Sequence, residues 1–214
     1  MPANRPLAAL LLAAGQSRRF GSNKLASVIT VNGQQKTLLL HTLDNWLAAF
    51  DRVYLMLPAD DRALLLLIND LPNQQRRRIT IVPVSKPALG MSQSLQAGIT
   101  ASEDAAGWLI GLADMPWVTP PVLIALQQAM ATGAKIAAPY YQGGRGQPVG
   151  FHADYKKALT ALRGDKGARQ LLKAAAGQIV AIETEDDGIL RDIDSPADLP
   201  GAQTGRAQSL LNSR

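Results

Sequence analysis

The stretch Leu7-Ala-Ala-Leu-Leu-Leu-Ala13 is apolar throughout and is bounded by Pro6 and Gly15. An apolar run of that length between two chain breakers suits a strand with no solvent-facing side, which belongs inside a parallel sheet covered by helices on both faces. The chain then changes character. Ala14 and Gly15 leave the backbone bare, and Gln16-Ser17-Arg18-Arg19-Phe20-Gly21-Ser22-Asn23-Lys24 is small, polar and cationic. Without bulky side chains, main-chain N–H groups can approach phosphate oxygens or a base edge, while Arg18, Arg19 and Lys24 supply neutralising charge. A polyphosphate fits these needs; so does a plain solvated loop, and spacing alone does not choose between them. Three sharper motifs are excluded: there is no Gly-Lys-Ser/Thr ending of a P-loop, Ser17 lacks the second glycine of a nucleophile elbow, and the spacing is wrong for a dinucleotide fingerprint.

Downstream, strand and helix patterns alternate. Val28–Val31 and Gln34–Thr37 flank Asn32-Gly33, a strong hairpin signal. From Leu38 to Ala49 apolar residues recur at helical spacing, with Thr37 placed to cap that helix and His41 expected on its surface. Strands are expected over 52–57, 79–83, 108–112, 134–139 and 178–183, and helices over 61–70, from Met91 onward, from Pro120 to about 131, and over 155–162 and 168–175. The run 140–151, with four glycines in Gly143-Gly144-Arg145-Gly146-Gln147-Pro148-Val149-Gly150, is expected to be a flexible loop returning to extended chain. Six strands alternating with helices predict a three-layer α/β domain with a mainly parallel sheet. Asp114 follows the strand over 108–112, at the edge where open α/β sheets bind ligands, although an aspartate there can equally cap a turn. Serines near Met91 can cap a helix or contact a ligand. Asp192 and Asp194 would point the same way on an extended chain.

With 214 residues and 47% hydrophobic content the chain can fill one core, so one domain over 1–200 is expected, followed by a polar tail, 201–214, expected to be disordered. The formal charge of +5 is dispersed except at Arg76-Arg77-Arg78, with few aromatics to stack on bases; that run is expected to be a solvated face, and no nucleic-acid partner follows from it. There is no cysteine, which rules out disulfides, thiolate catalysis and cysteine-bound metals. Pro6 and the arginine-rich loop argue against a signal peptide, and no stretch approaches bilayer length, so a cytoplasmic protein without membrane association is expected.

The segment LLAAGQSRRFGSNKL resembles the signature loop of the MobA-like nucleotidyltransferases, which include the molybdenum cofactor cytidylyl- and guanylyltransferases and the sugar-nucleotide pyrophosphorylases. Leu12, Ala13, Gly15, Ser17, Arg19, Gly21 and Lys24 meet the pattern, with Phe20 where methionine is usual. GMSQSLQAGI, GLADMPW, the PVGF segment and DIDSPADL resemble later motifs of the same family. The resemblance implies a Rossmann-like fold with a mainly parallel mixed sheet and the activity of a nucleotidyltransferase (EC 2.7.7 class). It implies nucleotide contacts at Leu12, Ala13, Ala14, Gly15, Ser17, Gly90 and Ser94, and catalytic roles for Arg19, Lys24 and Asp114, with Arg19 and Lys24 on the β and γ phosphates. It implies Mg2+ on Asp114 and Asp194, and an acceptor side at Gln147, Pro148 and Gly150, where Gln147 replaces the family's histidine. In a similar turn of the family, Asp165 and Arg169 are expected to be structural.

Within that family Ala13-Ala14-Gly15 is similar to the cytidylyl members, whereas guanylyl members carry a glycine that leaves room for a purine. The implied substrates are CTP and a molybdopterin-type cofactor, with transient contact to a recipient molybdoenzyme or its chaperone. The alternatives that stay open are guanylyl transfer to the same cofactor, transfer to a sugar phosphate or related acceptor, and a non-catalytic cofactor-binding chaperone. A serine hydrolase built on Ser17 or Ser94 and a histidine is the remaining one.

Overall fold

The N-terminal apolar run forms β1 (Leu7–Leu12), and in the computed structural model, which describes residues 5–15, 23–85, 90–164 and 168–198, it lies inside the main sheet. The other strands are β2 (Val28–Val31), β3 (Gln34–Thr37), β4 (Val53–Pro58), β5 (Ile79–Val84), β6 (Gly107–Leu112), β7 (Ile136–Tyr141), β8 (Gly144–Arg145), β9 (Val149–His152) and β10 (Ile179–Glu183). The helices are α1 (Leu38–Ala49), α2 (Arg62–Asn69), α3 (Asn73–Arg76), α4 (Met91–Ala101), α5 (Pro120–Ala131), α6 (Lys156–Thr160) and α7 (Arg169–Ala174). The sheet runs β10-β7-β9-β6-β1-β4-β5, with β8 on β7, while β2 and β3 form a separate hairpin. Pairs β1–β4, β1–β6, β4–β5 and β7–β10 are parallel; β9 is antiparallel to both β6 and β7.

Alternation along β1 assigns the two helix layers. Ala9 and Leu11 join the core under α1, α2 and α5 through Leu43, Trp46, Leu64 and Leu126. Ala8, Leu10 and Leu12 join the core under α4, α6 and α7 through Leu95, Ile99, Leu159 and Leu172. This is the three-layer α/β arrangement expected from the strand–helix alternation, with a mainly parallel mixed sheet. Chain order reverses direction between β1 and β6, so their carboxyl ends form a switch point, where this class of sheet opens a crevice.

Local signals act as their chemistry requires. Asn32 and Gly33 both have positive φ, 51° and 76°, the pair of left-handed residues that turns a tight hairpin. The Thr37 hydroxyl accepts from the Leu40 N–H and caps α1, and the Asp61 carboxylate accepts from Leu64 N–H to cap α2.

Three expectations are corrected. His41 is buried rather than on the helix surface, because β2 folds back over α1 and the ring nitrogen Nε2 lies 3.2 Å from the Ile29 carbonyl oxygen. The run 140–151 is not merely a loop: it carries β8 and β9, and Phe151 is fully buried, because β9 pairs on both edges and its glycine lets helix α5 come close. In the arginine run, Arg78 is tied down, its guanidinium donating to the Phe50 and Asp51 carbonyls at the end of α1.

Gly111 in β6 has no room for a side chain: a methyl there would collide with the Trp46 ring and meet the Pro148 Cβ at 3.1 Å. Gly111→Ala is therefore expected to cost about 1–3 kcal/mol through overpacking, measured as a lower urea midpoint at unchanged far-ultraviolet circular dichroism.

Candidate functional site

Three distant segments converge beyond the carboxyl ends of β1 and β6. The ladder continues past the strands, with Ala13 N–H donating to the Met56 carbonyl and Ala113 N–H to the Leu12 carbonyl. Asp114 thus emerges at a fixed point. Helix α1 holds the loop after it: Thr42 Oγ1 donates to the Ala113 carbonyl at 2.8 Å, and Asn45 Nδ2 donates to the carbonyls of Pro116 and Val118.

Lys24 enters from the first loop on a 3-10 turn, Lys24–Ala26, anchored by buried Leu25 and by the Asn23 amide donating to Asp61 at 2.6 Å. Its ammonium donates to Asp114 Oδ2 at 2.7 Å and to the Ile193 carbonyl at 2.7 Å, and reaches Asp194 Oδ1 at 3.5 Å. One cation therefore gathers both expected carboxylates.

The third segment, residues 186–194, is strapped across the Asp114 loop. Asp186 accepts from the N–H and hydroxyl of Thr119, Ile193 N–H donates to the Asp114 carbonyl at 3.0 Å, and the Arg191 guanidinium lies 4.1 Å from the Trp117 ring centroid. Ile189 and Ile193 are buried. Asp194, half exposed, then projects back over Lys24, and Asp198 accepts from the N–H groups of Asp194 and Ser195 to fix the turn.

Electrostatically the site favours a cation. Burial pushes the Asp114 carboxyl above its usual range, the Lys24 ammonium opposes that rise, and the nearby Asp192 charge adds to it. Asp114 Oδ1 is buried without a hydrogen-bond partner among the described residues. Among the described residues no group of three or more His, Cys, Asp or Glu could hold a metal. A divalent cation would thus find one orphaned carboxylate oxygen and a second carboxylate nearby, and would need ligand oxygens to complete its shell, as Mg2+ does when it is shared with substrate phosphates.

The remaining expected residues fall around this centre. Leu12, Ala13 and Ala14 are buried, whereas Gly15 is exposed and, among the described residues, a Cβ there would meet nothing within 4 Å. Gly90 precedes α4 at φ 99°, which does require one. Ser94 is buried on α4, and so is Ser92, whose Oγ lacks a partner among the described residues. Gln147 lines a cavity of about 660 Å³ beside the site, together with Arg145, Arg169 and Asp192. Arg169, expected to be structural, faces that cavity because it begins α7 at its rim. Pro148 packs toward Gly111, and Gly150 faces Met130 of α5, so both sit behind the cavity wall. Ser17, Arg19 and Asp165 lie outside the described residues, as does 201–214.

The two histidines stand away from Ser94: His41 is on the opposite helix layer, and His152 pairs with Gly107 at the far end of β6. Sequence reasoning missed Ser92, Arg145, the strap residues Asp186 and Arg191, and Trp117 beneath the strap. A lone cation in the glycine run marked Arg145; the strap residues carry no local signal, since their partners are distant in sequence.

Residues 9–180 match the MobA-like NTP transferase domain family. The chain is 32% identical over 203 residues to the purine catabolism protein PucB of Bacillus subtilis, covering 89% of this chain and 92% of that one. It is 27% identical over 150 residues to a probable molybdenum cofactor guanylyltransferase of Chloroflexus aggregans, covering 70% and 66%. Among solved structures it is similar to Rv0371c of Mycobacterium tuberculosis, with a TM-score of 0.71, 24% identity and coverage of 90% and 95%. A manganese complex of that protein matches with a TM-score of 0.63, 23% identity and coverage of 84% and 89%.

A carboxyl whose pKa is raised on folding destabilises the fold above that pKa, so Asp114→Asn should leave the urea midpoint at or above that of the parent protein. Lys24→Met strips two carboxylates and a carbonyl of their shared donor and should cost about 1–3 kcal/mol. Equal losses in both variants would show that the ionised Asp114 stabilises the fold.

Proposed function

The chain belongs to the MobA-like NTP transferase family and is a nucleotidyltransferase, and from that premise we propose that it transfers the cytidylyl group of CTP to the terminal phosphate of a molybdopterin-type cofactor. An acceptor phosphate oxygen forms a bond to the α-phosphorus, the bond from that phosphorus to the bridging oxygen breaks, and pyrophosphate leaves with the electron pair. The nucleophile is already ionised at neutral pH, so no protein base is required, and catalysis rests on placement and charge. A cytosolic nucleoside triphosphate ties the reaction to the cytoplasm, and handing on the product calls for a recipient molybdoenzyme or its chaperone.

The observation that carries the proposal is the meeting of Asp114, Asp194 and Lys24 beyond β1 and β6. Asp114 and Asp194 would hold Mg2+, which supplies neutralisation of the triphosphate oxygens when bound. The unpartnered Asp114 Oδ1 supports that role, as does the manganese bound by the Mycobacterium structure. Lys24 would exchange its carboxylates for the β and γ phosphates, a role that the family resemblance extends to Arg19. Open space at Gly15 suits close backbone approach of the nucleotide, and the buried Ser92 and Ser94 hydroxyls on α4 suit contacts to base or ribose.

Guanylyl transfer is the rival reading, favoured by the name of the Chloroflexus relative. Ala14, buried and carrying the methyl that a glycine would lack, supports the smaller pyrimidine. Pyrophosphate release should be seen with CTP, Mg2+ and the cofactor, and release with GTP in place of CTP would overturn the base assignment. Asp114→Ala should lower the rate by about 100-fold or more while retaining nucleotide binding. Tight CTP binding with no turnover on any acceptor would instead make this a binding protein.

A further inference from the structure

The strap over residues 186–194 begins and ends on an aspartate. At its start the Asp186 carboxylate collects three donors: Oδ2 accepts from the Thr119 N–H at 3.0 Å and the Thr119 hydroxyl at 2.6 Å, and Oδ1 accepts from the Gly188 N–H at 2.9 Å. Pro120 and Pro121 open α5 without an N–H to offer, and Thr119 supplies both donors instead. The Thr119 side chain does not cap α5, so its hydroxyl serves Asp186. On its other side Asp186 donates its N–H to Thr184 Oγ1, and the Thr184 N–H donates to the Tyr140 carbonyl. This carboxylate therefore ties the end of the β7–β10 ladder to the start of α5.

Beyond Asp186 the strap has little slack. A Cβ on Gly188 would collide with the Trp117 carbonyl, and the Ile189 carbonyl accepts from the Gln147 N–H at 2.9 Å. Ile193 is bonded through both its N–H, to the Asp114 carbonyl at 3.0 Å, and its carbonyl, from Lys24 Nζ at 2.7 Å. Asp194 follows directly, with Oδ1 3.5 Å from the same ammonium.

We propose that Asp186 is a positioning residue for nucleotidyl transfer: its grip on Thr119 seats the strap, and the seated strap places Asp194 against Asp114 and Lys24. The assignment rests on the nucleotidyl-transfer reading and adds a residue to it that touches no substrate. A carboxylate on an exposed turn is a poor metal ligand unless its backbone is held, because ordering it on binding costs conformational entropy. Partners outside the ligand set that fix its geometry carry much of the affinity of such sites.

The test compares the full chain with Asp186→Ala, Thr119→Val and Thr119→Ser. Mn2+ affinity is read by electron paramagnetic resonance in the presence of a non-hydrolysable CTP analogue, alongside kcat, KM for CTP and urea midpoints. Asp186→Ala should weaken Mn2+ binding and lower kcat by about 10-fold each, with analogue binding in the absence of metal unchanged. Thr119→Val should show a smaller loss of both, and Thr119→Ser, which keeps the hydroxyl, should match the parent. Should Asp186→Ala fail to fold, Thr119→Val carries the same comparison. The Lys24→Met loss in urea midpoint should shrink by about half in the Asp186→Ala or Thr119→Val background, because the released strap has already left the ammonium. Unchanged Mn2+ affinity and kcat with a lowered midpoint would make the tie merely structural and overturn the proposal, and so would strictly additive midpoint losses. Non-additive losses in a protein that binds neither Mn2+ nor the analogue would keep the placement of Asp194 by Asp186 and sink the transferase reading. Turnover with CTP at the parent rate and Mn2+ affinity in both tie variants would do the reverse.

Discussion

A single ammonium group draws the two ends of the molecule together. Lys24 is separated from Asp114 and Asp194 by 90 and 170 residues, yet its Nζ lies within hydrogen-bond reach of both and of the Ile193 carbonyl. Burying Asp114 without a counter-charge would be costly, and burial already lifts its pKa in spite of Lys24. The first loop, the end of β6 and the C-terminal strap therefore depend on one another. The same competition makes the site ready for change. A lysine among carboxylates can be drawn away by phosphate oxygens, and the carboxylates it releases are then free to take another cation.

The scaffold behind this cluster is built from ordinary parts. Strands β1 and β6 run in parallel register from Leu7 opposite Gly107 to Leu12 opposite Leu112, which brings Ala13 and Ala113 out side by side. Helix α1 contributes both apolar packing and the Thr42 and Asn45 hydrogen bonds that pin the Asp114 loop. The strap adds a cation over an aromatic ring and two buried isoleucines. Rigidity at Asp114 comes from hydrogen bonds to the backbone around it, and its buried Oδ1 has no partner among the described residues.

Features set by local chemistry were legible in the sequence. The apolar run of β1, the Asn32-Gly33 turn, the Thr37 cap and the proline start of α5 each follow from a few adjacent residues. Features set by distant pairing were not. Glycines in 143–150 read as flexibility, but Gly150 lies in a strand between β6 and β7, where its missing side chain admits Met130. His41 reads as a surface residue until β2 is laid over it. Asp114 was singled out by its position after an apolar strand, whereas its bond to Lys24 could come only from the fold. Arg145, Ser92 and the Trp117–Arg191 contact acquire meaning only when the sheet brings remote segments side by side.

Strand β9 runs against its two neighbours, and that orientation constrains how the protein can diversify. Val149 and Phe151 look one way and Gly150 the other, a pitch dictated by the pleat. Sliding β9 by one position would drive bulky groups into Met130 and strip the opposite surface bare. The backbone of this wall is accordingly locked to the central ladder. New tastes in small molecules must then arise by exchanging side chains at fixed stations and not by redrawing the chain's path.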